Sequence, residues 1–109
     1  ESLSNLGENV SGILVDDTLK ALGRIAAYRR DHSNVSVVAV TGSNGKTTTK
    51  EILASIFSKK FNTLYTEGNL NNEIGLPLTL LKLSDKHQWV ITELGMNKKG
   101  EIDFLSKII

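Results

Sequence analysis

Residues 41–51 read TGSNGKTTTKE, a lysine framed by glycines and followed by three threonines. Those residue types in that order can hold nucleotide phosphates. Gly42 and Gly45 let the backbone curl without a Cβ clash, so that consecutive N–H groups can face an anion. Lys46 supplies a point charge for the β- and γ-phosphates of ATP, and the Thr47 hydroxyl is placed to ligate the magnesium ion that bridges them. The candidate nucleotide-binding residues are therefore Gly42, Ser43, Asn44, Gly45, Lys46, Thr47 and Thr48, with Lys46 the candidate catalytic group. The longer Walker pattern has a further glycine five positions before Gly45, where this chain has Val40, so the loop is the shorter G-x-x-G-K-T form.

Such a loop works only between a strand and a helix, and the flanking sequence predicts both. Val35, Val37, Val38, Ala39 and Val40 form an apolar run read as a short strand buried on both faces. After Lys46 the period becomes helical, with Thr49, Ile52, Leu53, Ile56 and Phe57 expected on one face. The loop then joins the carboxyl end of a strand to the first turn of a helix, whose free N–H groups carry partial positive charge. Upstream, Asp16 or Asp17 can cap a helix that places Leu19, Leu22 and Ala26 on one face and stops at Asp31–Asn34. Downstream, the pattern predicts a strand near Asn62–Tyr65, a loop over Gly68–Gly75, a leucine-rich helix to about Leu83, a strand at Trp89–Thr92 and a helix from Gly100 that presents Ile102, Leu105 and Ile109. Alternating strands and helices imply an α/β fold with a parallel, doubly wound sheet built around a P-loop and flanked by helices.

Glu93 follows the last of these strands, at the sheet edge where the phosphate loop also opens. A carboxylate there can hold magnesium, which makes Thr47 and Glu93 the candidate metal pair. In the loop GNLNNE, Asn69, Asn71 and Asn72 can hydrogen-bond a substrate, although asparagine also suits tight turns for its own sake. Lys98 and Lys99 read as a solvated pair, His32 and His87 as surface residues, and Trp89 and Phe57 as core.

Read onward, TGSNGKTTTKE resembles the phosphate loop of the Mur ligase family, the ATP-dependent amide ligases that build the peptidoglycan stem peptide. Two further blocks, GNLNNEIGLPLTLLKL at 68–83 and ITELGMNKKGEI at 91–102, resemble the branch that joins D-alanyl-D-alanine to UDP-N-acetylmuramoyl-tripeptide. ILVDDTLKALGRIAAYRR at 13–30 is similar to the stretch leading from that family's amino-terminal domain into its ATPase domain. The resemblance implies that residues 1–34 are a linker and helix from the end of the amino-terminal domain, and that 35–109 begin the central ATP-binding domain. It also implies that Glu93 ligates a catalytic metal ion, that Asn69 and Asn72 contact substrate, and that the reaction runs through an acyl phosphate. A cytoplasmic enzyme, monomeric at full length, is the form expected. The family's carbamylated lysine, adenine pocket and D-alanyl-D-alanine-binding domain would lie beyond Ile109, so the isolated 109-residue chain is expected to be inactive and marginally stable.

Composition is compatible with this picture. A formal charge of +1, with 23% charged and 6% aromatic residues, offers no basic face for nucleic acid. There is no cysteine, hence no disulfide or thiolate metal site in this stretch, and no apolar run approaches a membrane span. Two other readings stay open at this level. Folylpolyglutamate synthases share the short loop, but would carry a pteridine-binding segment where this chain has GNLNNEIGLPLTLL. A non-catalytic nucleotide switch would use the same loop without turnover.

Overall fold

The computed structural model describes residues 5–109, so the first four residues of the expected linker lie outside it. Its elements in chain order are α1 (Thr18–Asp31), β1 (Ser36–Val40), α2 (Lys46–Ser58), β2 (Thr63–Tyr65), α3 (Gly75–Leu80), β3 (Trp89–Glu93) and α4 (Glu101–Ser106). The three strands make one parallel sheet in the order β1-β3-β2. The chain passes from β1 over β3 to β2 by way of α2, then returns to β3 by way of α3. Reversing direction while using the opposite face keeps both crossovers of one hand, as parallel β-α-β units require.

Single residues explain how α1 and α3 start and how α1 meets α4. Asp17 caps α1, its carboxylate accepting from the N–H groups of Leu19 at 3.0 Å and Lys20 at 3.1 Å. Gly23 sits where α1 meets α4, and a Cβ there would come within 3.1 Å of Ile108 Cδ1 and 3.2 Å of Phe104 Cζ. Gly75 opens α3 directly against Leu70, where a Cβ would fall 2.7 Å from backbone atoms. The main core lies on the face of the sheet opposite α2. It comprises Ala26, Leu76, Leu80, Leu83, Val90, Leu94, Leu105 and Ile108, with Val35, Val37 and Leu64 packed against it. Fully buried side chains such as Leu76, Leu80 and Leu105 each contribute about 1.5–3 kcal/mol relative to exposure.

Four expectations are corrected. In the three-stranded sheet of the described residues β1 stands at the edge and is half-buried, with Ser36 and Ala39 exposed; the central strand is β3, whose residues 90–93 are all inside. The buried face of α2 is Lys50, Leu53, Ala54 and Phe57, whereas Ile52 and Ile56 are 55% and 59% exposed. The helix is turned relative to the apolar pattern because Lys50 faces inward and finds carbonyl partners there. α4 is shorter than its apolar face, ending at Ser106, and Ile108 rather than Ile109 is buried. Trp89 and Phe57 lie outside the main core, in an edge-to-face pair 4.9 Å apart on the α2 side, joined by Phe61.

Candidate nucleotide and metal site

All three strands end on one side of the molecule, and the loops that follow them form a cleft of about 420 Å³. Its walls are Ser43–Thr48, Asn69, Asn71, Glu93 and Asn97. A second cleft, about 570 Å³, lies at the other end of the strands among turns 31–34 and 84–88 and contains none of the candidate site residues.

The loop has the conformation its glycines allow. Gly42 and Gly45 have φ of 143° and 75°, values that L side chains resist, and Gly45 is the N-cap of the 13-residue α2. No side chain among the described residues caps that helix, so its first-turn N–H groups remain available to an anion. Lys46 Nζ donates to Gly42 O at 2.7 Å, which folds the lysine back over the loop. The start of the loop is tied to the end of β3: Leu94 N donates to Val40 O at 2.8 Å, and Thr41 Oγ1 to Leu94 O at 3.2 Å.

Glu93 is 1% exposed, and its carboxylate is held by neutral donors. Thr47 Oγ1 lies 3.0 Å from Oε2 and 3.2 Å from Oε1, and Asn71 Nδ2 donates to Oε1 at 2.7 Å. None of the ion pairs among the described residues includes Glu93. A buried carboxylate without a cationic partner, opening on a cleft, attracts a cation. Its neighbours suit magnesium in particular. Thr47 can give its proton to Glu93 and still offer lone pairs, so a hard ion would find oxygen donors here. No cluster of three or more His, Cys, Asp or Glu that could hold a metal ion exists among the described residues, so an ion held at Thr47 and Glu93 would need further oxygen ligands from outside the chain segment.

The structure thus brings together Ser43, Asn44, Gly45, Lys46, Thr47, Thr48, Asn69 and Glu93, with Gly42 directly behind. Asn72 is elsewhere. Its Oδ1 accepts from Ile74 N at 3.2 Å and Gly75 N at 2.8 Å, satisfying N–H groups where α3 begins. An asparagine just ahead of an apolar helix is a capping signal, and it separates Asn72 from its neighbours. The amide in contact with Glu93 is Asn71, whose backbone O also accepts from Gly95 N at 2.7 Å. Gly95 has to be small: a Cβ there would lie 2.5 Å from Glu101 Oε1 and 3.0 Å from Asn71 O. Lys98 and Lys99 are both exposed, as expected of a solvated pair, and Lys98 donates to Glu73 at 2.6 Å; that hydrogen bond, and then the Glu73 charge, raise its pKa above the usual lysine value.

Comparison with known proteins shows the family and the fold. Residues 40–109 match the family model for the Mur ligase middle domain. The UDP-N-acetylmuramoyl-tripeptide–D-alanyl-D-alanine ligase of Escherichia coli K12 is 51% identical over 90 residues, covering 83% of this chain and 20% of the relative. The ligase of the same name from Bacillus subtilis 168 is 45% identical over 107 residues, covering 98% and 23%. Among solved structures, MurF from Acinetobacter baumannii superposes with a TM-score of 0.86 at 54% identity, covering 88% of this chain and 21% of that one. MurF from Thermotoga maritima in complex with ADP gives 0.81 at 35% identity, covering 94% and 25%. The chain spans about a fifth of the length of the curated relatives it matches. It belongs to the Mur ligase family, with residues 40–109 in that family's middle domain.

Proposed function

We propose that this segment is the phosphate-binding part of an ATP-dependent ligase that joins D-alanyl-D-alanine to UDP-N-acetylmuramoyl-tripeptide. The observation that carries the reading is the convergence of the 42–48 loop and buried Glu93 on one cleft, with Thr47 bonded to Glu93. The names of relatives such as the Escherichia coli enzyme support the choice of substrates, and the ADP-bound Thermotoga relative supports nucleotide binding. Among the described residues no helix is long and apolar enough to cross a membrane. A cytoplasmic, monomeric complete enzyme, with residues 1–34 leading in from an upstream domain, belongs to the same proposal.

In this reaction a carboxylate oxygen of the tripeptide attacks the γ-phosphorus of ATP, the bond to the β–γ bridging oxygen breaks, and ADP leaves. The amine of D-alanyl-D-alanine then attacks the acyl carbon; the acyl–oxygen bond breaks, inorganic phosphate departs, and the nitrogen loses a proton. Lys46 and the amino end of α2 stabilise negative charge on the transferring phosphoryl group, the dominant catalytic contribution expected for phosphoryl transfer. Thr47 and Glu93 would hold magnesium, which when bound neutralises phosphate charge. Asn69, on the cleft wall, would contact the substrate; Asn72, its oxygen held by the backbone, has only its Nδ2 donors left for that purpose.

The test is ATP consumption by the complete ligase carrying this segment. Turnover requiring both the UDP-linked tripeptide and the dipeptide is expected. Turnover supported by a folate and glutamate instead, or nucleotide binding without acceptor-dependent turnover, would overturn the reading.

A further inference from the structure

One turn beyond Lys46, α2 carries a second lysine that has no contact with solvent. Lys50 is 0% exposed, and its ammonium donates to Thr66 O at 2.7 Å and Gly68 O at 2.8 Å, with the Glu51 carboxylate 2.9 Å away. Its buried neighbour Ala54 shows what an ordinary inward position on this helix holds. A buried charge is a poor source of stability compared with an apolar side chain, but it grips its acceptors directionally. The carbonyls it grips lie where β2 ends and the loop bearing Asn69 and Asn71 begins, and Gly68 turns that loop with a φ of 56°. The contacts close a ring: Lys50 holds residues 66–68, the loop carries Asn71 to Glu93, and Glu93 accepts from Thr47 on the same helix as Lys50.

We propose that Lys50 is a positioning residue for the metal side of the nucleotide site: it fixes the 66–71 loop against α2 so that Asn71 orients Glu93. This rests on the nucleotide and magnesium reading given above. Lys50 does not line the cleft, so its loss is transmitted through Asn71 and Glu93 and leaves the direct phosphate contacts of the loop in place.

The experiment titrates ATP into the complete ligase by calorimetry, with and without magnesium. Tight magnesium-dependent binding by the parent tests the underlying reading separately from this one. Lys50→Met is expected to weaken the magnesium-dependent binding about tenfold, the usual effect of losing an outer partner of a metal ligand. Its metal-free ATP affinity should stay within about twofold, and Lys50→Arg, which retains the charge and donors, should recover the magnesium response. Adding Asn71→Ala to Lys50→Met should cost little beyond the larger single effect, because both act through Glu93. If Lys50→Met does not fold, Lys50→Gln takes its place in the same titration. An unchanged magnesium response in a folded variant, an equal loss with and without metal, or failure of both variants to fold would assign Lys50 to the fold alone and overturn the proposal.

Discussion

The hydroxyl of Thr47, in the first turn of α2, lies 3.0 Å from the nearer carboxylate oxygen of Glu93, at the end of β3. Forty-six positions separate the two in sequence. The bond joins the helix that presents the phosphate loop to the strand that presents the acid, and it leaves a buried negative charge facing the cleft.

Removing either partner should appear first in the response to metal. Thr47→Val deletes an oxygen, and Glu93→Gln a full charge, from the proposed hard-cation site. Each should raise the magnesium needed for half-maximal ATP use by about tenfold or more. ATP binding without metal should persist in both. A magnesium titration of the Glu93→Gln enzyme that overlays the parent's would remove Glu93 from the metal site.

In the proposed site Lys46 serves phosphate rather than metal. A charge-assisted hydrogen bond is worth about 1.5–3 kcal/mol, so Lys46→Ala should weaken ATP binding by about tenfold or more. The side chain is only half-buried and its bond is to the adjacent loop, so thermal unfolding should shift little. Equal ATP affinities in calorimetry, with both proteins folded, would count against the loop assignment.

Asn71 donates to a buried charged group, and losing such a donor costs about 1.5–3 kcal/mol. Asn71→Leu, close in size, should lower stability in urea by that order and weaken magnesium-dependent binding, with ATP alone bound as before. Full stability and an unaltered metal response would show that Glu93 does not depend on this amide.

Gly95 tests the crowding beside the acid. Its added Cβ would lie 2.5 Å from Glu101 Oε1, which can swing aside, and 3.0 Å from the Asn71 backbone O, which cannot, and overpacking of that kind costs about 1–3 kcal/mol. Gly95→Ala should destabilise the protein by this amount and disturb Asn71, whose backbone O accepts from Gly95 N. A variant as stable as the parent in urea would show that the contact relaxes freely.

The order of elements and the phosphate loop were legible because their signals are local: glycines at required turns, a change of period at Lys46, a capping aspartate before α1. Glu93 was legible from its place at the end of a strand. What escaped the sequence depends on partners distant along the chain. The apolar residues of α2 suggested a face through Ile52 and Ile56, but the helix turns Lys50 inward because the carbonyls of Thr66 and Gly68 await it. Asn71 and Asn72 are adjacent and chemically identical, yet one binds Glu93 and the other accepts from the N–H groups of Ile74 and Gly75 in the turn that leads into α3. Only the turn geometry after Gly68 decides between them. β1 is valine-rich like a central strand, yet among the described residues it pairs with β3 alone, a matter of sheet order that apolar content does not encode.

The most direct test of the central claim, that loop 42–48 and Glu93 form one magnesium–nucleotide site, is a crystal structure of the complete ligase with manganese and a non-hydrolysable ATP analogue. Anomalous density is predicted in the cleft between Thr47 Oγ1 and the Glu93 carboxylate, bonded to the hydroxyl and reaching the carboxylate directly or through one water, with the phosphates on the N–H groups of residues 43–48. Phosphates bound away from that loop, or a metal with neither Thr47 nor Glu93 in its surroundings, would contradict the account.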